Sequence, residues 1–114
     1  MTQILIIEDN DLNLKLMKDI LEAQGYSVDT AQDGQDGLDK ANANDYSLIL
    51  LDIQMPVVSG YDFLALYKKQ TPIVVVSACA MEEEIKKTKE LGCSDYITKP
   101  IKINEFLSTV KNYV

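Results

Sequence analysis

Three short apolar runs, at residues 3–7, 48–51 and 73–76, set the terms on which this chain can fold. Each is built almost wholly from Ile, Leu and Val, and each is only four or five residues long. Runs of that kind are predicted to be strands covered on both faces of a sheet. Residues 27–31 alternate apolar and polar, as a half-exposed edge strand does, and residues 96–98 form a weaker fifth candidate. Helical periodicity fills the gaps. Leu14, Met17 and Leu21, with Leu16 and Ile20, recur at three- and four-residue intervals over 12–23, with Asn10 or Asp11 placed to cap the start and Gly25 the end. Further helices are expected at 34–43 (Leu38, Ala41), at 60–69 (Phe63, Leu64, Tyr67), at 81–91 with Ile85 and Leu91 as apolar anchors, and at 103–113 (Phe106, Leu107, Val110). Five strands separated by helical crossovers must run parallel. The right-handed crossover rule then leaves an α/β fold with a doubly wound five-stranded sheet, in the order 2-1-3-4-5.

The 114 residues are expected to form one domain, 1–114, with no output domain attached. Polar Thr2 and Gln3 lead straight into the first strand without a basic leader, and no apolar run approaches the roughly 20 residues of a membrane span. A cytoplasmic protein is expected. The net charge of −7 argues against nucleic-acid or anionic-membrane partners. All eleven basic residues are lysines, so bidentate phosphate or guanine recognition lacks its usual donor. Histidine is absent, which excludes a Ser-His-Asp triad and a histidine zinc site. Cys79 and Cys93 lack metal-type spacing and read as small apolar fillers.

In the expected topology the residues after strands one, three, four and five open on one carboxyl edge. They are Glu8 with Asp9, Asp52, Ser77 and Lys99. Taken singly, each has an ordinary explanation: the acid pair can cap the next helix, Ser77 can end its strand, and Lys99 can be a loop lysine. Together they are more specific. Clustered carboxylates raise one another's pKa and destabilise a fold unless a cation sits among them, and oxygen-only ligands suit Mg²⁺. A carboxylate beside Mg²⁺ can attack phosphorus to form an acyl phosphate. Asp52 is the natural nucleophile, with Glu8 and Asp9 suited to metal and its waters. Ser77 and Lys99 are placed to offset charge on phosphoryl oxygens.

Four segments carry a family resemblance: Ile6-Ile7-Glu8-Asp9-Asn10, Leu50-Leu51-Asp52-Ile53-Gln54-Met55-Pro56 with Gly60, Val76-Ser77-Ala78, and Asp95-Tyr96-Ile97-Thr98-Lys99-Pro100. Across essentially the whole chain the sequence resembles the receiver domain of two-component response regulators, a flavodoxin-like (βα)5 fold. Within that family it is similar to single-domain cell-division regulators of alphaproteobacteria and to receivers of hybrid histidine kinases. The resemblance implies that Asp52 is the phosphoacceptor and that Asp9, Asp52 and the Gln54 backbone carbonyl hold Mg²⁺, with Glu8 acting through water. It also implies that Ser77 and Tyr96 are the switch residues, that Lys99 contacts phosphate, and that the Lys99–Pro100 peptide is cis. The stretch 60–72 is shorter than the family pattern.

A phosphoryl group adds about 1.5 to 2 negative charges at one strand end. By resemblance, Ser77 and Tyr96 respond and repack the face of the fourth helix, fifth strand and fifth helix. Here that face is expected to include Ile85, Lys86, Lys89, Tyr96, Lys102 and Phe106. The implied donor is a histidine kinase or histidine phosphotransfer protein, docking along the first helix at Leu12, Asn13 and Leu16. The implied readout is a downstream protein target, or onward transfer as a phosphorelay shuttle. The chain is expected to catalyse only its own phosphorylation and slow dephosphorylation. An aspartyl-phosphate phosphatase of similar topology usually carries a second acid two residues after its nucleophile, where this chain has Gln54. A flavodoxin-type electron carrier needs a phosphate loop where this chain has Glu8-Asp9-Asn10-Asp11. A degenerate receiver is disfavoured by the complete acid pair, Asp52, Ser77 and Lys99.

Overall fold

The computed structural model describes residues 3–53, 58–78 and 81–114. Strands β1 (Gln3–Ile7), β2 (Ser27–Ala31), β3 (Leu48–Leu51), β4 (Ile73–Ser77) and β5 (Asp95–Thr98) alternate with helices α1 (Asp11–Ala23), α2 (Gly34–Ala43), α3 (Gly60–Leu66), α4 (Glu82–Glu90) and α5 (Ile103–Lys111). Every strand pairing is parallel and the order is β2-β1-β3-β4-β5, as expected. Among the described residues, no helix is long and apolar enough to cross a membrane.

The period-two geometry of a strand sends alternate residues to opposite faces, and the three apolar runs use both. Leu5, Ile7, Ile49, Leu51, Ile73 and Val75 pack with Leu38 and Ala41 of α2 and with Phe63 and Leu64 of α3. Ile4, Ile6, Leu48, Leu50, Val74 and Val76 pack with Leu14, Met17 and Leu21 of α1 and with Phe106 and Val110 of α5. Burying one such side chain contributes about 1.5–3 kcal/mol, so the two layers dominate the stability of the domain.

Several boundaries and burials differ from the sequence expectation. The third helix stops at Leu66 rather than at 69, because Tyr67 takes an extended backbone (φ −78°, ψ 124°). Its ring turns inward, stacks on Phe63 at 5.4 Å between centroids, and its hydroxyl donates to Thr71 Oγ1 at 2.8 Å. Leu91 is not an anchor of the fourth helix: it is 37% exposed, and Thr88 takes the buried position, its hydroxyl donating to the Ile85 carbonyl at 2.9 Å. Phe106 is fully buried between α5 and the sheet, so it supports the expected partner face from beneath and presents nothing to a partner. The last helix ends at Lys111, and the Tyr113 hydroxyl reaches back to the Ser94 carbonyl at 3.1 Å.

The edge strand β2 is held by a polar staple. Asp29 Oδ2 accepts hydrogen bonds from Gln3 Nε2 at 2.9 Å and from the Tyr46 hydroxyl at 2.8 Å. Burial, followed by the hydrogen bond to Asp29 and its charge, pushes the Tyr46 phenol well above its ordinary value, so it remains a donor. Removing the hydroxyl in Tyr46→Phe leaves Asp29 short of one partner. The expected cost is about 1–2 kcal/mol, read as a lower urea midpoint with an unchanged denaturant slope; an unmoved midpoint would show that the staple is energetically neutral.

Candidate functional site

Backbone hydrogen bonds that continue the sheet past its strands fix the site residues before any side chain is considered. Glu8 N–H donates to the Ala31 carbonyl at 3.0 Å, Asp52 N–H to Ile7 at 3.0 Å, and Lys99 N–H to Ser77 at 2.8 Å. Three strand ends are thereby tied to their neighbours, and the Cα positions of Glu8, Asp52 and Lys99 follow from sheet register. The Lys99–Pro100 peptide is cis, as the family pattern implied.

Lys99 Nζ lies 2.5 Å from Glu8 Oε1 and 3.7 Å from Asp52 Oδ2. Glu8 is fully buried, Asp52 is buried, and Asp9 is exposed. Glu8, Asp9 and Asp52 each offer a carboxylate oxygen, and these lie within 4.8 Å of one another. Burial pushes the Glu8 carboxyl up; its Asp52 and Lys99 neighbours pull it down, and the net direction is below the usual glutamate value. One ammonium therefore faces three acids. Among the described residues, Glu8 Oε2 is moreover buried with no hydrogen-bond partner, a costly state for a carboxylate oxygen. The donor set fits a hard divalent cation: it consists of oxygens only, it carries excess negative charge, and exposed Asp9 leaves room for the waters that Mg²⁺ retains.

The ordinary explanation of the acid pair is removed by the helix cap. Asn10, not Glu8 or Asp9, caps α1, its side-chain oxygen accepting from Asn13 N–H at 3.0 Å. Ser77 is fully buried at the end of β4. Tyr96 on β5 is partly buried against the core layer under α2 and α3, and its register partner is Val75, two residues before Ser77. Gln54, like Cys79, lies outside the described residues. Cys93 is buried, and that burial pushes its thiol up, in keeping with a filler role.

Two glycines pack closely on Asp52, Ile53 and Val58. A Cβ on Gly60 would stand 2.6 Å from the Asp52 carbonyl oxygen, and Gly60 N–H donates to the Ile53 carbonyl at 2.9 Å. Gly34, which sequence reasoning passed over, packs on Val58 from α2: a Cβ there would run into the Val58 carbonyl oxygen. The available signal was a glycine at the first helical position directly after the capping Asp33.

On the surface, Leu12 and Leu16 of α1 are 80% and 43% exposed, with Asn13 partly buried between them. Ile85 is partly buried, while Lys89 and Lys102 are exposed. A groove of about 500 Å³ on α4 is lined by Glu82, Ile85, Lys86, Lys89 and Glu90.

Residues 4–111 match the family model of the response regulator receiver domain. The polar-differentiation response regulator DivK of Brucella ovis is 38% identical over 116 aligned positions, which cover 97% of this chain and 94% of that protein. Among solved structures, the chemotaxis protein CheY4 of Vibrio cholerae aligns with a TM-score of 0.94 at 27% identity, covering 100% and 99% of the two chains. The receiver domain of the Pseudomonas aeruginosa sensor histidine kinase PA1611, solved with a magnesium ion coordinated in its active-site cleft, aligns with a TM-score of 0.89 at 27% identity, covering 98% and 96%.

Replacing the lysine with an apolar side chain of similar length tests the charge balance. In buffer stripped of divalent cations, Lys99→Met leaves buried Glu8 and Asp52 without their ammonium and is expected to lose roughly 3 kcal/mol of unfolding free energy. A urea midpoint equal to that of the unmutated chain would show that Lys99 does not hold the acids together.

Proposed function

The chain belongs to the response regulator receiver domain family, and on that premise we propose that it takes a phosphoryl group onto Asp52 from a phosphohistidine donor and signals through protein contacts. The observation that carries this reading is Lys99 set between Glu8 and Asp52, with three carboxylates converging at one sheet edge. Asp9 and Asp52, with the Gln54 backbone carbonyl and with Glu8 through water, are the residues to hold Mg²⁺. The bound ion supplies charge stabilisation for the phosphoryl oxygens.

In the reaction an Asp52 carboxylate oxygen forms a bond to phosphorus as the phosphorus–nitrogen bond of the donor imidazole breaks, and the departing imidazole takes a proton from solvent. The Lys99 ammonium turns from the acids to one phosphoryl oxygen, and the Ser77 hydroxyl donates to another. Buried Glu8 and the backbone bonds at three strand ends keep the nucleophile from drifting. Turnover of free phosphate esters is not part of the proposal; Asp52 is modified once and slowly restored.

Ser77 and Tyr96 are proposed as the switch pair, a reading supported by their nearness in register on adjacent strands. Exposed Leu12 and Leu16, with Asn13, are the proposed docking step for the histidine kinase or phosphotransfer protein. Ile85, Lys86, Lys89 and Lys102, on α4 and at the start of α5, are the proposed site for a downstream protein. Alignment over 94% of a response regulator's own length supports reading residues 1–114 as one receiver domain.

Intact mass after incubation with Mg²⁺ and acetyl phosphate tests the reading. One phosphoryl adduct per chain is expected, absent in Asp52→Ala and absent when Mg²⁺ is chelated. An adduct that survives in Asp52→Ala would sink the assignment.

A further inference from the structure

Among the described residues, four of the five helices are fastened by apolar or close-packed side chains. Leu14, Met17 and Leu21 hold α1; Leu38 and Ala41, with two glycines, hold α2; Phe63 and Leu64 hold α3; Phe106 and Val110 hold α5. Helix α4 differs, since its buried residue is Thr88, whose hydroxyl is spent within the helix on the Ile85 carbonyl. Its N-cap residue, Met81, makes no side-chain capping bond. A second feature ties this helix sideways: the Lys87 ammonium stands 4.0 Å above the centroid of the Tyr61 ring, on α3.

Tyr61 is not a freely moving anchor. Its ring packs against the core layer under α2 and α3. The preceding residue, Gly60, donates to the Ile53 carbonyl and lies so close to the Asp52 carbonyl that a Cβ would not fit. The ring therefore moves with the backbone of Asp52, while the ammonium moves with α4. A cation–π contact weakens beyond about 6 Å from the centroid, so an α4 displacement of roughly 2 Å breaks it.

We propose that the Lys87–Tyr61 contact is a brake that holds α4 in its resting position and couples it to the segment behind Asp52, by a route that does not pass through Ser77 and Tyr96. This rests on the reading of Asp52 as the phosphoryl acceptor. A contact made only in the resting arrangement lowers the population of the activated one, and so weakens the apparent affinity of any ligand that selects it. Cutting the contact strengthens that affinity by about two- to fivefold, the range of an exposed cation–π pair.

The test titrates the full chain with beryllofluoride and Mg²⁺, a mimic of the phosphoryl group, followed by ¹H–¹⁵N spectra, in the unmutated chain and in Lys87→Met, Tyr61→Leu, Tyr61→Phe and the Lys87→Met/Tyr61→Leu double variant. Lys87→Met and Tyr61→Leu are each expected to bind two- to fivefold more tightly, and the double variant no more tightly than either. Tyr61→Phe keeps a ring under the ammonium and is expected to bind closer to the unmutated chain than Tyr61→Leu does. Amide exchange over residues 84–90 without ligand is expected to accelerate in Lys87→Met, with the urea midpoint showing that the chain remains folded. Equal or weaker beryllofluoride affinity in Lys87→Met and Tyr61→Leu overturns the brake, as do fully additive effects in the double variant. If the unmutated chain binds no beryllofluoride, the reading of Asp52 fails; α4 exchange then decides whether the tie exists, and unchanged exchange in Lys87→Met overturns it.

Discussion

One ammonium faces three carboxylates at the carboxyl edge of the sheet, and Glu8, the acid it pairs most closely, is fully buried. Taking a carboxylate out of water costs several kcal/mol even after relaxation, and Lys99 can offset that cost for about one acid. The acids are nonetheless kept in place, because backbone bonds of the extended sheet fix two of them regardless of their charge. Apolar burial in the two core layers supplies the stability that holds the arrangement together. The resulting deficit of positive charge has a direction. A divalent cation would bring the local balance to neutrality, the condition under which the proposed phosphoryl transfer would meet no net repulsion.

How much of this was legible in the residues depends on which force sets each feature. The five strands and their order could be read from apolar runs and periodicity, since central strands such as Leu48–Leu51 are buried on both faces whatever surrounds them. Helix ends could not. Tyr67 leaves the helical path to place its ring beside Phe63, a tertiary preference that local propensity does not register. Thr88 displaces Leu91 from the interior, and Phe106 goes inward where a surface role was expected, because a charged helix pattern does not state which of its few apolar positions faces the core.

The site was more legible than its wiring. Glu8, Asp9, Asp52, Ser77 and Lys99 announce themselves because open parallel sheets expose their carboxyl ends together. That Lys99 pairs with Glu8 more closely than with Asp52, across 91 positions of sequence, depends on side-chain reach and was not visible. Gly34 and the Lys87–Tyr61 pair were invisible for a related reason. A glycine that opens a helix and a lysine on an exposed helix are both common, and only their neighbours give them meaning.

Under the proposed function, the contrast between the fixed edge and the lightly held α4 decides what a single phosphoryl group can accomplish. A hydrogen bond to a charged group contributes about 1.5–3 kcal/mol net, which is all that a new bond from Ser77 to a phosphoryl oxygen can bring to a change of shape. Dislodging α1 would expose Leu14, Met17 and Leu21 at roughly 2 kcal/mol each, more than that one bond supplies. Helix α4 buries one threonine, and its sideways tie to Tyr61 is of the exposed kind, about 0.5–1 kcal/mol. The energies on the two sides are therefore comparable at α4 and not at α1. Under the proposed reading, a signal arising at Asp52 leaves the rest of the domain standing and moves this one helix.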